Sequence, residues 1–158
     1  MEWRRRGYLS LEELRSSGLL PPADRVLRGP VAVTECIEEI PCNVCTTACN
    51  FAAITTDGLR GKPKVDWDRC TGCGMCVGVC PGQAMFVVSL AGGEGRVTLP
   101  YEFLPKLRPG ARVKLLNREG ERVGEGLVER VFEVNKTQVV TVKVPPELVW
   151  EVRAVWPV

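Results

Sequence analysis

Apolar and polar residues alternate with the period of a half-buried strand through Ala111-Arg112-Val113-Lys114-Leu115, and again in the valine-rich runs Leu127 to Val134 and Gln138 to Val144. Turn residues punctuate these runs. Pro109-Gly110 precedes the first, Asn117 to Gly120 reads as a hairpin turn, and Pro145-Pro146-Glu147 opens a helical turn ahead of Val152 to Trp156, which can close the sheet. Residues 96–158 are therefore expected to form a small antiparallel β-barrel of about five strands.

Upstream the periodic runs are shorter. Val31-Ala32-Val33, Ile54-Thr55-Thr56, Lys64-Val65-Asp66 and Met85 to Ser89 read as strands and Val44 to Ala48 as a helical turn, so that residues 30–90 repeat a unit of strand, loop, helix and strand. Ala91-Gly92-Gly93-Glu94-Gly95 has the composition of a linker between this unit and the barrel. Residues 1–29 read as a helical arm: Ser10-Leu11-Glu12-Glu13 has the form of a capping box, Gly18 is its C-terminal stop, and Pro21-Pro22 prevents continuation. Leu9, Leu11, Leu14, Leu19 and Leu20 carry more apolar surface than so short a helix can hide, so the arm packs on the chain's own core or on a partner.

Within the 30–90 unit lie all eight cysteines, in two runs. The second, Cys70-Thr-Gly-Cys73-Gly-Met-Cys76-Val-Gly-Val-Cys80-Pro81, is the bacterial ferredoxin pattern C-x2-C-x2-C-x3-C-P, in which three close thiolates hold one cubane and the fourth serves another. Gly72, Gly74 and Gly78 let such a loop turn around the corners of a cube and present its amides to sulfur. Zinc ribbons separate two cysteine pairs by a long loop, and cysteines two apart in a tight loop make poor disulfides, so neither alternative suits this run. The first run is a degraded copy. Laying Cys42, Cys45 and Cys49 on Cys73, Cys76 and Cys80 aligns Ala53-Ile54 with Ala84-Met85, while Glu39 falls where Cys70 maps and Asn50 replaces Pro81. Cys36, three residues upstream of Glu39, is the natural substitute.

Two 4Fe-4S clusters follow from this count, one held by Cys36, Cys42, Cys45 and Cys80 and the other by Cys49, Cys70, Cys73 and Cys76. Two alternatives stay open for the first site: a 3Fe-4S cluster with Cys36 free, or Glu39 as an oxygen ligand. Trp67, three residues before Cys70, is expected to shield the cluster loop from water.

Composition narrows the function further. With 158 residues, 45% hydrophobic and 25% charged, the chain can bury one ordinary core or two small ones. Its formal charge of +2 becomes about −2 once thiolates and two oxidised cubanes are counted. Histidine is absent, which excludes Rieske ligation. Beyond Lys106 charges alternate in sign without an aromatic platform, the pattern of a solvated face rather than a nucleic-acid site. No stretch reaches the roughly 18 apolar residues of a membrane span. Arg4-Arg5-Arg6 is followed by the charged Leu11-Glu12-Glu13 where an export signal needs an apolar core, so a cytoplasmic location is expected.

The stretch Val31-Ala32-Val33-Thr34-Glu35-Cys36-Ile37-Glu38-Glu39-Ile40-Pro41-Cys42-Asn43-Val44-Cys45, the second cysteine run with Pro81, and Tyr101-Glu102-Phe103-Leu104-Pro105 together resemble the ferredoxin-like small subunits of FAD-dependent dehydrogenases. The resemblance is to the dye-linked amino-acid and amine dehydrogenase complexes of the proline, hydroxyproline and sarcosine group. It implies that another chain binds FAD and substrate, often with a separate 2Fe-2S protein. Members usually carry proline where this chain has Val44 and Asn50. The expectation is thus an α+β protein, a dicluster ferredoxin fold followed by a barrel, that passes single electrons from a partner's flavin and has no catalytic residue of its own. An independent soluble ferredoxin and a scaffold with structural clusters are the competing classes.

Overall fold

The computed structural model of the protein describes residues 2–158. Three short helices open the chain, α1 (Trp3–Arg6), α2 (Leu11–Ser16) and α3 (Ala23–Arg28), followed by β1 (Val31–Thr34), α4 (Val44–Ala48), β2 (Ile54–Thr55), β3 (Lys64–Val65), α5 (Met75–Val79) and β4 (Met85–Ser89). The remainder is β5 (Gly95–Tyr101), β6 (Arg112–Leu116), β7 (Arg122–Val134), β8 (Thr137–Val144) and β9 (Ala154–Pro157). Apart from the small β2–β3 hairpin, the strands form one antiparallel sheet of seven, in the order β1-β4-β5-β8-β7-β6-β9. The class is α+β.

The expected closed barrel does not form. A strand has two edges, and β5 uses both: Val87–Ser89 of β4 pair with Arg96–Thr98 on one side, and β8 pairs along its full length on the other. β9 comes within 8 Å of β5 between Cα atoms yet pairs only with β6, so the sheet curls over without closing. The curl is built into β7, whose register shifts between Val128 and Arg130, its N-terminal half pairing with β6 and its C-terminal half with β8. Residues 91–95, read as a linker, are the turn joining β4 to β5, with Gly92 and Gly93 at φ +67° and +74°. One sheet therefore runs through both the 30–90 and the 96–158 segments.

Period-two alternation explains why β1 and β4 are buried at every position. Val31, Val33, Phe86 and Val88 enter a large core with Val97, Leu99, Val113, Leu115, Val140 and Val142, inside the curl. Ala32, Met85 and Val87 face the other way, into a second core with Ile54, Val77, Val139 and the cysteine loops. The cysteine-bearing segments thus sit on the outer face of the sheet that encloses the main core. Gly78 permits this, since a Cβ there would lie 2.7 Å from the Val134 side chain.

The arm belongs to the chain's own core. Its capping box forms as read, Glu13 N donating to Ser10 Oγ at 3.1 Å and Ser10 N to Glu13 Oε2 at 2.8 Å. Leu14 and Val26 are fully buried, and Leu90 N donates to Val26 O at 3.0 Å, tying α3 to the end of β4.

Candidate metal centre

The two cysteine runs fold alike. α4 and α5 are five-residue helices with a cysteine at the second position, Cys45 or Cys76, and another just past the end, Cys49 or Cys80. Four residues of helix would leave the pair on nearly the same face. The helix ends between them instead: Cys49 (φ −80°, ψ 107°) and Cys80 (φ −68°, ψ 114°) are extended, which sends each away from its helical neighbour. One cavity is lined by Cys36, Cys42, Cys45 and Cys80, and a second by Cys49, Cys70, Cys73 and Cys76. These are the two sets expected from spacing.

The repeat extends to the backbone beyond each run. Ala52 and Gln83, three residues past Cys49 and Cys80, both adopt left-handed conformations, at φ +50° and +51°. Each costs a non-glycine residue of order 1–3 kcal/mol. The reward is an aimed amide: Ala53 N donates to Cys49 Sγ and Ala84 N to Cys80 Sγ, each at 3.4 Å. Cys70 Sγ accepts from Ala32 N at 3.2 Å and Gly72 N at 3.4 Å. Gly72 itself, at φ +71°, lies so close to Pro30 that a Cβ would stand 2.5 Å from the proline Cβ. Such N–H···S bonds are the means by which a protein tunes a sulfur-ligated cluster.

None of the eight cysteines forms a disulfide. Burial, and after it the neighbouring Cys70 and Cys73, pushes the Cys76 thiol up to about 12; burial likewise raises Cys36 and Cys45. Thiolate ligation at these positions must therefore displace protons. Glu39 does not line the first cavity; its exposed carboxylate lies 3.9 Å from Lys62 Nζ.

Two residues beside the Cys70 loop go beyond the sequence reading. Trp67 packs on the main core with Leu20, Cys70 and Leu90 rather than capping a cavity, and its Nε1 is buried without a partner. Arg25, unremarked in the sequence, reaches from α3 into the Cys70 loop, Nε donating to Trp67 O at 2.6 Å and Nη2 to Cys70 O at 2.9 Å. It also donates to Gly29 O and Pro30 O, each at 3.1 Å. No local pattern marks a contact 45 residues away.

Comparison with known proteins bears on the second cysteine run. The 4Fe-4S binding domain family matches residues 63–86, the segment that carries Cys70, Cys73, Cys76 and Cys80. Over 44 residues the chain is 48% identical to a component of the Na(+)-translocating ferredoxin:NAD(+) oxidoreductase complex of Acetobacterium woodii, a match covering 28% of this chain and 13% of that protein. Over 71 residues it is 34% identical to a ferredoxin of Pyrobaculum islandicum, covering 44% of this chain and 65% of that one. The chain thus spans less than two thirds of the length of either relative. No solved structure matches. Residues 63–86 match a 4Fe-4S binding domain, which with these relatives supports electron transfer through iron-sulfur as the chemistry of that segment. Among the described residues no helix is long and apolar enough to cross a membrane.

Proposed function

We propose that the protein is the electron-transfer subunit of a multi-subunit dehydrogenase, holding two 4Fe-4S clusters and taking electrons one at a time from FAD on a partner subunit. The observation that carries this reading is the partition of eight thiols into two four-cysteine cavities, each drawing one ligand from the other run. Cys36, Cys42, Cys45 and Cys80 would hold the first cluster, and Cys49, Cys70, Cys73 and Cys76 the second. Bound cubanes supply one-electron redox capacity. The chain's own residues ligate, donate N–H···S bonds and exclude water behind Val77, Met85 and Val87.

The C-x2-C-x2-C-x3-C-P spacing from Cys70 to Pro81 favours cubanes over single ions. Four thiolates on zinc would meet at about 2.3 Å from one point. Because Cys36 lines the first cavity, a complete 4Fe-4S cluster there is the better reading than a 3Fe-4S cluster.

The partner is proposed to be an FAD-dependent amino-acid or amine dehydrogenase, with a 2Fe-2S protein as a further component, and the complex to work in the cytoplasm, where thiols stay reduced. This rests on the resemblance of the Glu35–Cys42 stretch to the small subunits of such complexes. A free ferredoxin is the second reading, supported by the Pyrobaculum relative. Anaerobic purification from the native source decides between them. Two cubanes require about eight iron and eight sulfide per chain, and the subunit reading requires a flavoprotein in the same complex that reduces the clusters when substrate is added. Recovery as a flavin-free monomer would leave the free ferredoxin, and stoichiometric zinc without sulfide would remove both.

A further inference from the structure

Cys36 is the cysteine with the least local support. It lies outside the standard spacing, and residues 35–43 around it form neither helix nor strand. Two backbone amides hold its position, Glu35 N donating to Ala84 O at 2.8 Å and Cys36 N to the Thr34 side-chain Oγ1 at 3.2 Å. The stronger anchor is the preceding side chain. Glu35 turns inward, its Oε1 accepting from Arg118 Nη2 at 2.6 Å and from Arg153 Nε at 2.7 Å.

Both arginines come from the far end of the sheet, Arg118 in the β6–β7 turn and Arg153 just before β9, 83 and 118 residues from Glu35. They are themselves fixed. Arg118 Nη1 donates to Trp150 O at 2.6 Å; Arg153 Nη1 donates to Val149 O at 2.9 Å and Val152 O at 2.6 Å, with its guanidinium 5.0 Å above the Phe86 ring. The side chains of Glu35, Arg118 and Arg153 are only 11%, 7% and 5% exposed.

Burying three charges costs several kcal/mol per ion, and apolar replacements often give an equally stable fold, so stability alone is a poor reason for such a triad. What it achieves is registry: a rigid, doubly held carboxylate one residue from Cys36, at the floor of a cleft of about 520 Å³ that Cys36 also lines. The triad of one carboxylate and two guanidinium groups carries a net charge of +1, and both arginines line the same cleft as Cys36.

We infer that Arg118 and Arg153 are positioning residues for the first cluster, clamping Glu35 so that Cys36 is held as its fourth ligand and raising that cluster's potential through their net charge. The inference rests on the reading of Cys36 as a ligand. The sign follows from the charges. A reduced cubane carries one more negative charge than an oxidised one, so adjacent positive charge favours reduction.

The test compares Cys36→Ser, Arg118→Met, Arg118→Lys and Glu35→Gln in the full chain, reconstituted anaerobically, by iron content and EPR-monitored redox titration of each cluster. Arg118→Met is expected to lower the reduced-to-oxidised ratio of the first cluster at fixed potential about tenfold, 59 mV for one electron. Glu35→Gln removes a negative charge and is expected to shift it upward. Arg118→Lys restores the charge and with it the potential, while the second cluster is unchanged throughout. A role in folding alone would move both clusters, or would move Arg118→Met and Glu35→Gln in the same direction, and either result overturns the inference. If Cys36→Ser alters the first cluster but the charge variants do not, the clamp is refuted and the ligand reading survives. If Cys36→Ser changes nothing, both are refuted.

Discussion

Ala52 and Gln83 show most clearly that the two halves of the cysteine region obey one physical rule. Each accepts a left-handed conformation, costly without a glycine, so that the next amide meets a cysteine sulfur. Gly78 is the complementary case, a residue whose absent side chain sets a distance. Gly78→Ala would place a methyl 2.7 Å from Val134 and 2.9 Å from Val139 Cγ2, overpacking worth about 1–3 kcal/mol. Because α5 carries Cys76 and runs into Cys80, that strain is expected to reach both centres, lowering the denaturation midpoint and speeding iron loss from each. Unchanged iron release in the destabilised variant would separate packing from cluster retention. The aligned Ala53-Ile54 and Ala84-Met85 were visible in sequence; the positive φ before each pair was not, since neither Ala52 nor Gln83 is a residue type that announces it.

Among the elements, α3 changes its meaning most. Read from sequence as part of an arm packing on the chain's own core or on a partner, it buries Val26 in the main core and sends Arg25 to four backbone carbonyls around the Cys70 loop. Arg25→Ala removes charge-assisted bonds worth about 1.5–3 kcal/mol each when buried, less for the solvent-exposed share of this set. The expected outcome is faster loss of iron from the second cluster, with the first retained. Deleting residues 1–29 is expected to go further, unpacking Leu14 and Val26 from the core so that cluster retention and thermal stability fall together. A truncated chain that keeps both clusters at full occupancy would return the arm to a docking role. Helix caps and strand periods were legible here because they depend on neighbours within a few residues. Arg25 was not, because a guanidinium among many on a charged chain carries no mark of its partner.

Across the whole molecule, the sheet separates two cores with different dependence on metal. The large core inside the curl consists mostly of β-strand valines and leucines, with Val26 of α3, Phe86 and Tyr101, and contains no proposed ligand among its buried members. The smaller one is built around the cysteine loops. Stripping the clusters with a chelator is therefore expected to leave the strand signal in far-ultraviolet circular dichroism while the cysteine loops and α4 and α5 loosen, seen as hydrogen exchange confined to residues 36–83. Global unfolding on metal loss would show instead that the curled sheet cannot stand alone. Cysteine identity and spacing pointed, with no structure at hand, to a ferredoxin-type 4Fe-4S segment, because the three close cysteines of each loop are placed by local geometry, while the fourth member of each cavity comes from the other run. Alternation and short apolar runs marked the strands other than β5 (Gly95–Tyr101), which the sequence reading missed. Only the tertiary structure decided that β5 gives one edge to β4 and so forbids a closed barrel, that the 91–95 turn joins rather than separates, and that Arg118 and Arg153 meet Glu35. Those outcomes depend on which distant segments compete for the same edge or the same carboxylate, a choice settled by the packing of the whole chain.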